Sequence, residues 1–360
     1  MLKQYKGRLL SSVEPVSNSS FASGMWALEE QMQGVAAGAW PVFAGGGGGG
    51  FISVNDVFST TLYTGNSGAQ TITNGIDLSG QGGLVWLKER TATGNNPSHW
   101  LFDSIGGATT SLTTNNTSGR FTGWGPGVPF SSTGFSVGNI QFNTNASNYV
   151  SWSFRRSTRF FDVVTYTGNG TSDRQIPHNL GGIPGCIIIK RTDTTKEWAV
   201  WHRNYTGAGL YLNSAQVFPG DTPQLATTQS ATNIVISSST QLNASGGTYV
   251  AYVFAHDTAS DGIVQCGSFN STGFVNLGWE PQWIMMKSTT DSSSFTGDWR
   301  IFDYKRGIVV NGDDAQLFAN DSRAENTGSF GTALHFNPTG FTVEGQGNYG
   351  TSTVYMAIRR

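Results

Sequence analysis

One pattern recurs three times along the chain at a spacing of about a hundred residues, and this periodicity constrains the fold more than any other feature. An apolar strand ending in lysine appears as Leu84-Val85-Trp86-Leu87-Lys88, as Cys186-Ile187-Ile188-Ile189-Lys190 and as Trp283-Ile284-Met285-Met286-Lys287. A polar turn follows, then a Trp-centred strand: His99-Trp100-Leu101-Phe102-Asp103, Glu197-Trp198-Ala199-Val200-Trp201-His202 and Asp298-Trp299-Arg300-Ile301-Phe302-Asp303. Trp100, Trp198 and Trp299 are aligned on residue type. The outer copies continue with Thr133-Gly134-Phe135-Ser136-Val137 and Thr339-Gly340-Phe341-Thr342-Val343. Each copy closes on a β-branched and aromatic strand, beginning at Tyr149, Tyr249 and Thr353.

Short runs of this kind, separated by Gly, Asn and Ser turns, predict antiparallel sandwiches. The expected fold is all-β, with three tandem, jelly-roll-like β-sandwich modules of about a hundred residues behind a short N-terminal helical anchor. The expected divisions are an anchor at 1–44, a glycine linker at 45–50, and modules at 51–159, 160–258 and 259–360. Polar residues at Arg159 and at Asp257-Thr258-Ala259-Ser260-Asp261 mark the joints. With 22 Phe and 11 Trp among 360 residues, there is ample surface to bury, which argues for packed structure rather than a solvated low-complexity chain.

Before residue 41 the spacing changes. Met25, Leu28, Met32, Val35 and Ala39 recur every three or four residues, an amphipathic stripe that predicts a helix with Ser23 as its cap and Pro41 beyond its end. Two heptads are too few to be a stable helix alone, so Met25, Trp26, Leu28, Met32, Val35 and Trp40 are candidate anchoring residues that need a surface to bury against. The run Gly45–Gly50 contains G-x-G-x-x-G, but neither the strand nor the helix of a dinucleotide site flanks it, so it is assigned as a hinge.

A formal net charge of -2 gives no long-range pull toward nucleic acid, and the run Arg155-Arg156-Ser157-Thr158-Arg159 is better explained as a strand-end connector than as a binding site. No segment has the length and apolarity for membrane insertion. Two cysteines, Cys186 and Cys266, are too few for a disulfide framework and fit as small core residues. None of the five histidines sits in a metal or triad spacing. Asp103 and Asp303 fall after equivalent strands and are expected to satisfy turn amides rather than act as paired acids. No catalytic, metal or cofactor residue is therefore nominated. Trp124 and Tyr205 lie in loops, unlike Trp86, Trp152, Trp198 and Trp299 in strands, and are the candidates for contacting a ligand.

Several of these segments resemble a family of tailed-phage virion proteins from marine and environmental phages. The most specific are Phe161-Asp162-Val163-Val164-Thr165-Tyr166-Thr167-Gly168, His178-Asn179-Leu180-Gly181, Pro184-Gly185-Cys186-Ile187-Ile188-Ile189-Lys190-Arg191-Thr192 and Asn276-Leu277-Gly278-Trp279-Glu280-Pro281-Gln282-Trp283. The similarity covers residues 58 to 360, and the segment from Gly24 to Pro41 is similar to those preceding such domains in fibre-like proteins. The resemblance implies a virion location after assembly in the host cytoplasm, other virion proteins as partners of the N-terminal segment, and a homo-oligomer, with a trimer expected by fold analogy. It supplies no catalytic residue. Three functions follow as expectations: a tail fibre or adhesin whose distal module, about 261 to 360, contacts a host-surface glycan, a head or tail decoration protein, and, third, a glycan depolymerase.

Overall fold

The computed structural model describes residues 52–91, 97–138, 140–207, 209–216, 225, 228–270, 272–290, 297–308, 314–327, 333–344 and 352–360. The expected helix with Met25, Trp26, Leu28, Met32, Val35 and Trp40, and the glycine run, lie outside them.

The fold is all-β, and its large sheets are antiparallel. The first comprises an opening strand Phe58–Thr64, a closing strand Asn148–Arg155, a lysine strand Gly83–Glu89, a tryptophan strand His99–Asp103, a short strand Thr110–Thr113, and Phe121–Thr122 at its edge. The second sets Phe161–Thr167, Thr248–Ala255, Pro184–Arg191, Trp198–His202 and Leu210–Tyr211 in the same order. The third does so with Val264–Phe269, Thr353–Arg359, Pro281–Ser288, Arg300–Asp303 and Leu317–Phe318. The closing strand thus lies between the opening and lysine strands, although it comes late in each copy.

Every large sheet has a small companion. Gln70–Thr73 pairs with Gly134–Val137, Arg174–Pro177 with Asn233–Ile236, and Gly273–Asn276 with Gly340–Glu344. The Thr-Gly-Phe segments of the outer copies are therefore strands of these companions. In the first copy Val85, Leu87, Trp100 and Phe102 meet Ile72, Phe135 and Val137 in one core, and in the third Ile284, Met286 and Phe302 meet Leu334, Phe341 and Val343.

The lysine strands show no inside-outside alternation, being buried along almost their whole length. Side chains alternate across a strand, so Val85 and Leu87 occupy their own sandwich while Leu84, Trp86 and Lys88 face the other way. That second face is covered by the other sheets. Phe154 packs on Phe254 and Trp283 at ring-centroid distances of 5.6 and 5.9 Å, and Trp152 on Trp283 at 6.4 Å. Ser53–Arg360 is accordingly one compact unit rather than three free-standing sandwiches. The two expected joints are tied to each other, since Arg159 makes ion pairs with both Asp257 and Asp261.

Strand register corrects one alignment made on residue type. Lys88 lies opposite His99, Lys190 opposite Trp198, and Met286 opposite Arg300, which sets Trp299 beside Lys287. His99, not Trp100, is the counterpart of Trp198 and Trp299. Trp100 instead points into its own sandwich core.

Candidate functional site

Two arrangements are candidates for function: a set of polar junctions between the sheets, and an aromatic loop at the surface.

At the junctions the same contacts recur in one direction. The Trp198 indole N–H donates to the Thr113 carbonyl of the first copy at 2.9 Å, and that of Trp299 donates to the Tyr211 carbonyl of the second at 2.7 Å. Register makes Thr113, Tyr211 and Phe318 equivalent. The His99 ring faces the Phe318 backbone of the third copy, without a hydrogen bond of normal geometry from Nε2, while its Nδ1 accepts from Trp86 at 2.9 Å.

The lysines follow the same rule. Lys190 Nζ donates to Thr117 O at 3.2 Å, Lys287 Nζ to Ala215 O at 2.8 Å, and Lys88 Nζ to Ser322 O at 3.1 Å. Each acceptor lies four residues beyond the indole or imidazole contact. Lys190 and Lys287 also donate to Lys196 O and Gly297 O in their own turns, and Lys88 to Glu89 O. Burial pushes Lys88 and Lys190 down to about 8, since a charged ammonium loses hydration there. Carbonyls replace that water, which explains a lysine at the end of an otherwise apolar strand.

At the opposite end of the tryptophan strand, Asp103, His202 and Asp303 are equivalent by register. Asp103 Oδ1 accepts from the Ile105 and Gly106 amides and Asp303 Oδ1 from the Arg306 amide, the expected turn role. Their other oxygens reach further. Asp103 Oδ2 accepts from the Tyr252 hydroxyl at 2.9 Å and from Arg120, and Asp303 Oδ2 from the Trp152 indole at 3.0 Å and from Arg306. In the second copy His202 Nε2 lies 3.0 Å from the Tyr355 carbonyl and, as a donor, bonds to it. Burial pushes His202 down to about 4, so it is neutral at pH 7.

The surface candidate is the loop that follows the first short strand. Phe121 is 49 % exposed and stacks obliquely on Trp124, with ring centroids 4.5 Å apart. Trp124 is half-buried rather than fully presented: its indole N–H donates to Ser111 Oγ at 2.7 Å, and its ring meets Trp100 and Phe142 edge to face. The Trp124 and Val128 amides bond to Thr109 O and Ala108 O, pinning the loop at both ends. An added Cβ at Gly127 would lie 2.1 Å from the Ala108 carbonyl oxygen, so the close approach requires glycine there. The pair therefore forms a fixed aromatic surface with one ring largely in solvent, suited to apolar or stacking contact.

Tyr205 stands elsewhere, in the turn after the second tryptophan strand. It is half-buried, its amide donates to His202 O, and its hydroxyl lies over Gly207. It is not among the ring neighbours of Trp124, all of which belong to the first copy.

The arginine run is absorbed internally. Arg155 donates to Asp56 O, Arg156 pairs with Asp162, and Arg159 holds the two joints. Among the described residues no group of three His, Cys, Asp or Glu side chains could hold a metal ion, and no helix is long and apolar enough to cross a membrane. Both cysteines are free and buried.

Residues 53–359 match the model of a family described as a domain of unknown function, DUF7483. The chain belongs to that family. The match begins where the compact unit begins and ends one residue short of its end, so the DUF7483 domain takes in all three sheets as one unit. No curated protein and no solved structure shows significant similarity to the chain.

Proposed function

We propose that this DUF7483 protein is a non-catalytic structural component of a tailed-phage particle. In this assignment residues 1–44 bind other virion proteins, and the β-modules are displayed toward the host in the manner of a tail fibre or adhesin. The Phe121–Trp124 surface contacts a host-surface glycan. The observation that carries the proposal is this aromatic pair, half in solvent and held from below by Ser111, Trp100 and Phe142. A pre-set aromatic surface loses little side-chain freedom on binding, which favours contact with flexible chains such as polysaccharides. The resemblance over residues 58 to 360 supports the same assignment.

Binding of the full-length protein to host envelope polysaccharide, with Phe121→Ala alongside, tests the contact. Phe121 is exposed, so its loss leaves the fold intact; binding should fall at least tenfold. Equal binding by the variant would remove the loop from the assignment, and release of sugar would replace display by hydrolysis. Cryo-electron microscopy of the particle tests the location. A few copies at the tail agree with adsorption, a copy number near that of the capsid lattice makes the protein a decoration protein, and absence from the particle overturns the proposal.

A further inference from the structure

Two of the three junctions join copies that follow one another in the chain; the third does not. The second copy docks on the first through Trp198 and Lys190, and the third on the second through Trp299 and Lys287. The first copy then docks on the third, more than two hundred residues away, with the same parts in the same direction. Lys88 reaches Ser322 O, His99 faces Phe318, and Trp152 donates to Asp303. This closing junction adds a bidentate Arg90–Glu325 pair at 2.6 and 3.0 Å, and a bond from the Thr114 hydroxyl to Ala319 O.

We infer that each copy carries a self-docking surface whose partner is another copy of the same module, making Ser53–Arg360 the single-chain equivalent of a homotrimer. Head-to-tail contacts between like units close into a ring when the rotation between them allows it, and three do so here. The acceptors of all three lysines and of the Trp198 and Trp299 indoles are main-chain carbonyls at fixed places, so these groups recognise the backbone of the neighbouring copy, beside the side-chain contacts of Asp103 and Asp303. That chemistry survives sequence divergence between copies. The connectors at 156–160 and 256–263 then set the order of the copies and are tied to each other by Arg159. This inference is independent of any role on a particle.

A cut in the full-length protein tests it. A protease site inserted after Ala259, at the exposed tip of the second connector, separates the third copy from the first two covalently. A parallel insertion beside the exposed Thr158 provides an independent cut. After complete cleavage the pieces should co-elute at the mass of the intact chain and part only in denaturant; separation in native buffer would overturn the inference. In the Ala259-cut protein, Lys88→Met and Lys287→Met should each speed dissociation of the third copy by about tenfold or more, the loss expected of a charge-assisted bond. An effect of Lys287→Met with none of Lys88→Met would show that the ring is not closed by a like junction, and would equally overturn it.

Discussion

The Tyr252 hydroxyl donates a 2.9 Å hydrogen bond to the Asp103 carboxylate, joining the closing strand of the second sheet to the tryptophan strand of the first across 149 residues of sequence. Both residues are buried, and Arg120 completes the site with a 2.8 Å ion pair to the same carboxylate oxygen. Burial and the neighbouring carboxylate hold the Tyr252 phenol well above its usual range, so it remains a donor at any pH the protein meets.

Tyr252→Phe should therefore cost about 1.5–3 kcal/mol, the worth of a hydrogen bond to a charged group, with little change in packing volume. Urea unfolding of the full chain measures it. A loss below 0.5 kcal/mol would mean that Arg120 alone satisfies Asp103.

Acid should destabilise the protein before its carboxylates titrate. His202 is buried, its folded value about 4 against about 6.5 when unfolded, and His256 is shifted the same way by burial and by Arg203. Burial also lowers His99 and His178. Between those two values the unfolded chain binds more protons, so stability present above pH 6.5 is lost as the pH falls toward 4. For His202 alone the loss amounts to about 3 kcal/mol. The variant His202→Gln keeps a side-chain N–H for the Tyr355 carbonyl but cannot titrate. Its melting temperature should fall less between pH 6.5 and 4 than that of the parent, and parallel curves would rule His202 out as the source.

Gly168 should tolerate no side chain. It lies two residues after Tyr166, whose ring stacks on Tyr249 at 4.8 Å and whose hydroxyl bonds to Leu242 O. An added Cβ would lie 2.0 Å from the Ala244 carbonyl oxygen, and one added at Gly65 would lie 2.1 Å from Thr144 O in the first copy. Backbone must shift to admit either. Gly168→Ala is expected to cost about 2 kcal/mol or more, read from thermal or urea unfolding, and a neutral result would show that the turn opens freely.

Much of the fold was legible because strand periodicity and repetition are properties of neighbouring residues. The lysine strands and closing strands lie where their β-branched and aromatic runs predict. Residue type misled where register decided: Trp100 resembles Trp198 and Trp299 in sequence, yet His99 occupies their place opposite the lysine. The turn role of Asp103 and Asp303 was legible from their own turns. Their second role was not, because Tyr252 and Trp152 approach from other copies. Trp124 looked like a free loop aromatic, and the Ser111 hydroxyl that draws its N–H inward lies thirteen residues away, outside any local pattern. One clue was available: a lysine closing three otherwise apolar strands is costly unless something distant receives it.

The contact between the second and third copies differs from the other two in its chemistry. Register puts Trp152, Tyr252 and Met356 at one place in their sheets, and Trp152 and Tyr252 bond to Asp303 and Asp103, whose equivalent in the second copy is His202. Where the central side chain carries a proton to give, as in Trp152 and Tyr252, its counterpart is a carboxylate. Methionine has none, and there the counterpart is a histidine, which turns its own N–H to the Tyr355 carbonyl. Donor and acceptor in different thirds of the chain are thus matched in kind, so exchanging Asp103 for the histidine of the second copy would leave the Tyr252 hydroxyl facing a group that no longer carries a carboxylate.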